Sequence, residues 1–558
     1  MRWSVGAVGA FVLAGLGGAA TARAGGVETV IPLSGQVPDD GLDHFFVAFE
    51  VPAGIAEIEV MHDDESDDNI LDWGLQGPDG FRGWGGGNAE NAIVGADAAS
   101  RSYAPGAIEA GTWHVIVGKA KISAPPGTYA IEVTLRPTAT LPPQSRTPYA
   151  DVPALVEGPG WYAGDFHVHS RESGDAAPTL EEIGAFAAGR GLDFVVITDH
   201  NVHTGQDFFA DVQPGADVLF VPGVEFTTYA GHATGIGATQ WVDHKIGQPG
   251  VDIVGAVEAF HDQGALFSIN HPVLELGDLC IGCAWGHDVP GEMIDGVEIA
   301  TGGLQPFGAQ FTDNAIAFWD ELCAQGFHVA AIGGSDDHKA GVDLTPFQSP
   351  IGDATTLVYA AALDVPSLVQ GVRDGRTVVK LQGAEDPTVI FDAAEAIVAD
   401  TITANEATLT ASVVGGMGTE IRLVHNGSAG GVMVVDADPF ETTWPVTAPE
   451  TGEDRYRVEL LVEGTRRVVT SHLWVAGDPS ASDDSGGDTT GGSGGGTGAT
   501  TGDPVTSSGS GDAGETSGGA NDGGDGGCSC RAGARGGGWS GAFALLGVVF
   551  WRRRRRGR

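Results

Sequence analysis

Short apolar runs that end in histidines and acids constrain the fold most strongly. The run 165–170, Asp-Phe-His-Val-His-Ser, places His167 and His169 two residues apart. Side chains alternate along a strand, so both imidazoles lie on one face of a strand end. Asp199 and His200 follow the apolar run 194–197 in the same way. Two convergent imidazoles are the usual beginning of a transition-metal site.

Further polar residues follow later apolar runs; they are Glu225, His232, His271, Asp336 and His338. A single histidine of this kind is more often an ordinary core or surface residue than a metal ligand. The complete set is different, because buried ionisable groups are costly unless they have partners. The sequence therefore predicts a multinuclear metal site.

The same spacing predicts an α/β fold. Between Asp165 and Asp336, strand-like runs alternate with helical patterns, as at 179–188, where Thr179 is a good N-cap before Glu181 and Glu182. Repeated β-α-β units imply parallel strands, and ligands at successive strand ends favour a barrel with its site at that end. An open doubly wound sheet is the alternative, and it fits less well because ligands from many strands converge more easily on a barrel mouth.

These motifs resemble those of the PHP (polymerase and histidinol phosphatase) superfamily, and within it the CehA/McbA-like metallohydrolases. The resemblance covers about residues 155–383 and rests on five ordered motifs: Asp-Phe-His-Val-His-Ser, Thr-Asp-His-Asn, Pro-Gly-Val-Glu with Gly-His, Asn-His-Pro and Gly-Ser-Asp-Asp-His. It implies a distorted (β/α)7 PHP barrel that holds two to three divalent ions, which we expect to be zinc, manganese or iron.

The resemblance also implies a division of the ligands. One ion would take His167, His169, Glu225 and Asp336, a second would share Glu225 and add His232 and His271, and a third would use Asp175, His200 and His338. Asp175 is the loosest of these assignments, because Glu172 lies in the same loop.

Such a site predicts a hydrolase in which a metal-activated hydroxide is the nucleophile. We expect Glu225 and Asp336 to act in catalysis, Glu298 to hold a water or a substrate hydroxyl, and Asp199 to orient a ligand imidazole. Lys339 and Arg171 are the nearest cations for an anionic substrate, although each is equally well explained as an ordinary surface charge.

Composition limits the partners. The formal net charge is −46, from 28 basic and 74 acidic residues, and it argues against binding of nucleic acid through a basic face. We expect a small-molecule ester as substrate. Phosphoesters and carbamate or carboxyl esters both remain open, but a phosphomonoester pocket needs several Arg or Lys groups and the motif loops offer few. The alternative is a non-catalytic, surface-anchored protein that binds glycans or proteins.

The termini predict export. Residues 1–24 have the pattern of a signal peptide, with an apolar stretch followed by Ala22-Arg23-Ala24. Residues 478–527 predict a disordered Gly/Ser/Thr/Asp linker. Residues 528–558, with Cys528, Cys530, an apolar stretch and a terminal arginine block, resemble a MYXO-CTERM sorting tail. That resemblance implies a sorting protease, a lipid anchor through the tail and a location at the cell surface or outer membrane; a plain transmembrane anchor is the alternative.

Two β-rich regions flank the predicted barrel. Short alternating runs in 27–140 predict a β-sandwich, and those in 384–476 predict a small immunoglobulin-like sandwich. Between them, Cys280 and Cys283 form a C-x-x-C pair without a second pair or a thioredoxin pattern. We therefore expect a local disulfide that closes a loop near the site.

Overall fold

The computed structural model describes residues 27–478 except 67, 303–307 and 342–348. This part of the chain is rich in β-sheet and contains five α-helices. The predicted signal peptide (1–24) and sorting tail (528–558), and all but the first residue of the predicted linker (478–527), lie outside the described residues. Among the described helices, none is both long and apolar enough to cross a membrane.

The N-terminal region consists of two four-stranded antiparallel sheets, in the orders β1-β8-β3-β6 and β2-β7-β4-β5. Side chains from both sheets, such as Ile58 and Trp113, share one buried core. The strands are β1 Thr29–Gln36, β2 His44–Val51, β3 Glu57–Asp63, β4 Ile70–Gly77, β5 Gly80–Gly86, β6 Ala92–Gly95, β7 Gly111–Lys121 and β8 Thr128–Arg136.

The central region contains seven strands that neighbour each other in chain order, β9 to β15, with β16 and β17 beyond β9. Its elements are β9 Glu157–Val168, α1 Leu180–Gly189, β10 Phe194–Ile197, α2 Phe209–Val212, β11 Leu219–Thr228, β12 Gly231–Ile236, α3 Ile253–Asp262, β13 Leu266–Ile269, β14 Gly296–Thr301, α4 Gly308–Ala324, β15 Ala330–Gly334, β16 Thr355–Ala362, α5 Val365–Arg373 and β17 Thr377–Lys380. Helix α1 begins at the predicted N-cap, where Thr179 and Glu182 form a reciprocal capping box.

The first and last of these seven strands meet at their carboxyl ends. The amide of His169 donates to the carbonyl of Asp337 (3.0 Å), and the amide of Asp336 donates to the carbonyl of His167 (2.8 Å). These hydrogen bonds bring the histidine motif after β9 and the acidic motif after β15 together, although about 170 residues of chain separate them.

The strands are not all parallel, contrary to the expectation from repeated β-α-β units. Strand β12 runs antiparallel to both β11 and β13. Only Tyr229 and Ala230 separate β11 from β12, and a parallel crossover needs a dozen or more residues. Gly231 begins β12 at a φ of +152°, which a tight turn accommodates most easily with glycine. The (β/α)7 barrel itself stays a prediction, as do the two flanking sandwiches.

The C-terminal strands form a four-stranded sheet, β19-β18-β21-β25, and also extend the central sheet, because β17 pairs with β27. Their bounds are β18 Thr388–Ala393, β19 Ala396–Ile397, β20 Thr401–Thr403, β21 Glu406–Val414, β22 Glu420–His425, β23 Ser428–Ala429, β24 Met433–Val434, β25 Phe440–Thr447, β26 Glu453–Val462, β27 Thr465–Thr470 and β28 Leu473–Ala476. The sheet is therefore continuous across the predicted boundary at residue 383.

Candidate metal centre

The fold gathers nine side chains at one end of the central strands. They come from strands β9, β11 and β12 and from the loops after β9, β10, β13 and β15; they are His167, His169, Asp175, His200, Glu225, His232, His271, Asp336 and His338. These are the nine residues that the sequence predicts as metal ligands.

Glu225 lies at the centre of this group, and its two carboxylate oxygens face different histidines. Oε1 lies 3.3 Å from Nε2 of His167, 3.2 Å from Nδ1 of His232 and 3.4 Å from Nε2 of His271. Oε2 lies 3.5 Å from Nε2 of His169 and 2.7 Å from Nδ1 of His200. A carboxylate in this position can bridge two cations.

Asp336 faces the histidine pair that follows β9. Its Oδ1 lies 3.2 Å from Nε2 of His167 and 3.1 Å from Nε2 of His169. These three residues and Glu225 place four potential ligand atoms within 4.8 Å of one another. They correspond to the first ion of the predicted division.

A further group lies beside His169 and nearer to solvent. Oδ2 of Asp175 lies 3.3 Å from Nε2 of His200 and 3.2 Å from Nε2 of His338. Glu172, the other acid in this loop, faces elsewhere and accepts a hydrogen bond from the amide of Ser102 (3.0 Å). The geometry therefore favours Asp175 over Glu172 as a ligand.

The donor set fits divalent transition metals. Nε2 of His167, Nε2 of His169 and Oε2 of Glu225 are buried, and although each lies close to an oppositely charged group, none of these contacts has the geometry of a hydrogen bond among the described residues. Unpartnered buried polar atoms are costly, and an ion held between them would satisfy all three. Imidazole nitrogens mixed with carboxylate oxygens suit zinc, manganese and iron.

The acids of the cluster are held in their charged form. Burial by itself would raise the pKa of Glu225, but the neighbouring His167 and His200 hold that pKa well below its usual value. Burial would also raise the pKa of Asp336, but His167 and His169 outweigh burial and lower this pKa. Both side chains are therefore carboxylates at neutral pH, the form that binds a metal.

The histidines fall into two electrostatic groups. Burial, reinforced by the charges of His338 and His200, lowers the pKa of His169 to about 3. Burial also lowers the pKa of His232. For His338 burial acts in the same direction, but Asp175 outweighs it and raises the pKa to about 9. His169 and His232 thus carry a free ring nitrogen at neutral pH, as a ligand must.

Three further polar side chains contact the predicted ligands. The hydroxyl of Ser173 lies 2.9 Å from Nδ1 of His169, and that of Thr227 lies 2.7 Å from Nδ1 of His200. The side-chain amide of Asn270 donates to Oε1 of Glu225 (3.1 Å). Of the three, only Asn270 could be predicted from the sequence, because it belongs to the Asn-His-Pro motif.

Of two predicted roles, that of Glu298 stays a prediction and that of Asp199 is wrong. Glu298 is buried in β14 behind the cluster, where Oε1 lies 3.2 Å from Nδ1 of His167 and Oε2 accepts from the amide of His271 (2.9 Å). It therefore lies where it can orient His167, and its contact with a water or a substrate hydroxyl stays a prediction. Asp199 does not orient an imidazole; it accepts from the amide and hydroxyl of Ser170 (2.7 and 2.8 Å) and fixes the loop after β9.

The two candidate cations stay outside the cluster. The backbone amide of Lys339 donates to Asp337 (2.9 Å), but its side chain makes no ion pair or hydrogen bond among the described residues. Arg171 is mostly exposed and pairs only loosely with Glu172, at 4.0 Å. The structure thus gives neither residue a contact with the candidate ligands.

Backbone strain accompanies the site. His271 and Asp336 have φ values of +28° and +55°, in a region that residues other than glycine rarely adopt. Such strain persists only where the surroundings enforce it, and it concentrates at functional sites.

A cavity of about 500 Å³ opens over the cluster. One wall consists of candidate ligands, namely Asp175, His200, Glu225, His232, His271, Asp336 and His338. The other lining residues, which we call the facing wall, are largely apolar and include Ile70, Ala120, Leu274, Leu276, Leu279 and Ile281. Among the described lining residues there is no Lys or Arg. The segments 303–307 and 342–348 contain no Lys or Arg in their sequence.

The facing wall combines distant parts of the chain. Strands β4 and β7 of the N-terminal region supply Ile70, Asp72 and Ala120. The hydroxyl of Tyr229 donates to Asp72 (2.7 Å) and ties β4 to the β11–β12 turn. Cys280 and Cys283 form the expected disulfide, and both line the cavity.

No protein-family model matches the chain, and no curated protein does. Among solved structures, it is similar to a two-domain protein from Bacteroides vulgatus that contains a predicted PHP-like metal-dependent phosphoesterase (17% identity, TM-score 0.32, covering 60% of this chain and 100% of the other). It is also similar to an amidohydrolase from Chromobacterium violaceum (18% identity, TM-score 0.22, covering 33% and 93%). Likenesses this distant carry no weight for the function, and both the CehA/McbA subtype and the MYXO-CTERM tail stay predictions.

Proposed function

We propose that this protein is a metal-dependent hydrolase. The observation that carries the proposal is the position of Glu225: its two oxygens face separate sets of imidazoles, while buried nitrogens of His167 and His169 lack hydrogen bonds. A merely structural cluster would satisfy such atoms with protein partners.

When bound, divalent ions would lower the pKa of a coordinated water and polarise the carbonyl or phosphoryl oxygen of a substrate. The protein supplies the geometry for this chemistry. Glu225 and Asp336 offer negative charge to the ions, and Glu298, Ser173 and Thr227 orient the histidines. The facing wall surrounds the approach to the cluster with apolar side chains, and electrostatic interactions are stronger in less polar surroundings.

We favour an uncharged carboxyl ester or carbamate over a phosphomonoester as substrate. Recognition of a phosphate dianion usually requires Arg or Lys, and the described cavity wall offers neither. Among its acids, Asp175 would be neutralised by an ion and Asp278 pairs with Lys121, so Asp72 is the acid that would repel an anion.

The test is an activity panel on the full chain loaded with zinc or with manganese. It compares 1-naphthyl acetate and 1-naphthyl methylcarbamate with p-nitrophenyl phosphate and bis-p-nitrophenyl phosphate, alongside elemental analysis. We expect two to three ions per chain and a larger kcat/KM on the neutral substrates. One ion or none would contradict the multinuclear site, and metal loading without hydrolysis of any substrate would contradict the hydrolase.

We further propose that the protein is exported and held at the cell surface or outer membrane through its C-terminus, with a sorting protease as partner. The support is the sequence pattern at residues 1–24 and 528–558. Mass spectrometry of the protein from membrane fractions tests this: loss of residues 1–24 and a lipid-modified or truncated tail are expected, and an intact cytoplasmic chain would refute it.

A further inference from the structure

The loop closed by the Cys280–Cys283 disulfide contacts two of the candidate metal ligands. Its residues Cys280, Ile281 and Cys283 line the cavity directly over the cluster. The half-cystines are three positions apart, with their Cα atoms 5.6 Å from each other. This loop belongs to none of the motifs that predict the site.

Two backbone carbonyls of this loop approach two histidines. The carbonyl oxygen of Ile281 lies 3.3 Å from Nε2 of His232, and that of Cys283 lies 3.1 Å from Nδ1 of His271. A carbonyl can only accept a hydrogen bond, so each of these ring nitrogens carries the proton. The remaining nitrogens, Nδ1 of His232 and Nε2 of His271, are then free to bind an ion.

Those remaining nitrogens both face the same oxygen. Nδ1 of His232 lies 3.2 Å and Nε2 of His271 lies 3.4 Å from Oε1 of Glu225. One short loop thereby selects the ligating atom of both histidines in the group Glu225, His232 and His271. Partners of this kind fix the tautomer and the orientation of ligand imidazoles.

The loop is held in place by close packing on the β11–β12 turn. Gly282 has a φ of +80°, and a Cβ added there would lie 2.4 Å from the carbonyl oxygen of Thr228. Just beyond the disulfide, the amide of Gly286 donates to the carbonyl of Ala230 (2.7 Å). The disulfide closes residues 280–283, which include the first of these contacts and both carbonyls, and so restricts the positions of the carbonyls.

We infer that the Cys280–Cys283 disulfide is a positioning element for one ion of the cluster, the ion held by Glu225, His232 and His271. This inference rests on the proposed function. Opening the bridge, by transfer of two electrons and two protons from a dithiol such as dithiothreitol, yields two thiols and releases the carbonyls. The affinity for that one ion falls, while the groups around Asp336 and around Asp175 keep their ligands.

The experiment compares the full chain with the double variant Cys280→Ser/Cys283→Ser, titrated with zinc against a competing chelator. Both serines avoid thiols that could themselves bind zinc. We expect one ion per chain to bind about 10–100-fold more weakly, the usual consequence of losing an outer-shell partner, with the other ions unchanged. Turnover of the variant should recover toward the wild-type value as zinc is raised. The buried thiol variant Cys323→Ala is the matched control and should bind all ions normally.

Gly282→Ala is the second variant, because it displaces the loop while the disulfide remains. It should weaken the same ion. Thermal unfolding of each variant with and without chelator shows whether it folds. Equal affinity for all ions in the double variant and the wild type would overturn the inference, as would uniform weakening of every ion. If the wild type binds no metal, the proposed function itself fails.

Discussion

The two walls of the cavity are built in opposite ways. The ligand wall gathers buried imidazoles and carboxylates near strand ends. Oε1 of Glu225 and Oδ1 of Asp336, for example, lie 3.3 and 3.2 Å from Nε2 of His167. The facing wall is largely apolar and draws on β4, β7 and the disulfide loop. Strand ends supply a rigid arrangement for the ligands, and on the proposed function we expect the facing wall to determine which substrate fits. The division implies that changes in the ligand wall affect metal binding and turnover, and that changes opposite affect KM.

The largest expected effect is that of Glu225→Gln. The amide keeps the shape of the side chain but removes the charge that faces two sets of histidines. Two or more ions should bind less well, and kcat/KM should fall by roughly 1,000-fold or more, since each ion contributes several kcal/mol of transition-state stabilisation. Turnover and metal content are measured on the same preparations.

Asp336→Asn is the matched comparison, because only one group of ligands includes Asp336. We expect Asp336→Asn to lose one ion and to keep more activity than Glu225→Gln does. We expect the same of His232→Ala. Full metal content with near-normal turnover in Glu225→Gln would show that the bridging ligand is another residue.

The facing wall is tested by Ile70→Asp on β4. A charge placed there should raise KM for 1-naphthyl acetate about 10-fold. Burying about half of an isoleucine side chain against the substrate contributes on the order of 1.4 kcal/mol, and the substitution removes this contribution. Metal content and kcat should stay unchanged. Val30→Asp, at an exposed apolar position on β1, is the control. A variant that lost metal instead of substrate affinity would break the distinction between the walls.

The ligand wall was predictable from sequence because its residues stand in short motifs directly after apolar runs. Their common location follows from the rule that parallel strands present their carboxyl ends at one edge. The antiparallel β12 was missed, because Tyr229-Ala230 is not one of the usual hairpin dipeptides. Its histidine still reaches the site, since His232 stands at the start of a reversed strand.

The facing wall could not be predicted. Ile70 and Leu279 lie about 200 residues apart and belong to ordinary apolar segments. Their meeting depends on how the N-terminal sheets dock on the central strands, which no local pattern encodes. The predicted role of Asp199 was wrong for a related reason: sequence places a carboxylate near a strand end but does not say which neighbour its oxygens face.

A smaller effect is expected where the N-terminal region supports the ligand wall. Nη1 of Arg101 donates to the carbonyl of Ala176 (2.8 Å), next to Asp175. Arg101→Ala should loosen this loop and weaken one ion by about 3–10-fold, since a hydrogen bond from a charged group is worth roughly 1.5 kcal/mol or less when partly exposed. Lys119→Ala, which removes an ion pair with Asp40 away from the loop, is the control. Zinc titration that shows no difference between the two variants would exclude this support.

The smallest expected effect concerns the one acid of the facing wall that is contributed by β4. Burial raises the pKa of Asp72 to about 6, even though the hydrogen bond from Tyr229 acts in the opposite direction. The carboxyl is therefore neutral below pH 6 and becomes negative above it. Glu225 and Asp175 have lowered pKa values and stay charged across this range. A monoanionic substrate should thus meet one additional negative charge as the pH rises from 5 to 7.

Bis-p-nitrophenyl phosphate carries one charge throughout this interval, and 1-naphthyl acetate carries none. The KM for bis-p-nitrophenyl phosphate divided by that for 1-naphthyl acetate should rise about threefold between pH 5 and 7 in the wild type. Like charges roughly 10 Å apart near a protein surface repel by on the order of 1.7 kcal/mol, and salt at about 0.1 M screens this to roughly 0.6 kcal/mol. In Asp72→Asn, which can still accept the hydrogen bond from Tyr229, the ratio should change less. The histidines titrate in both proteins, so the difference between the two pH profiles isolates Asp72. Identical profiles would mean that this carboxyl does not influence the bound substrate, and the facing wall would then select by shape and apolar contact alone.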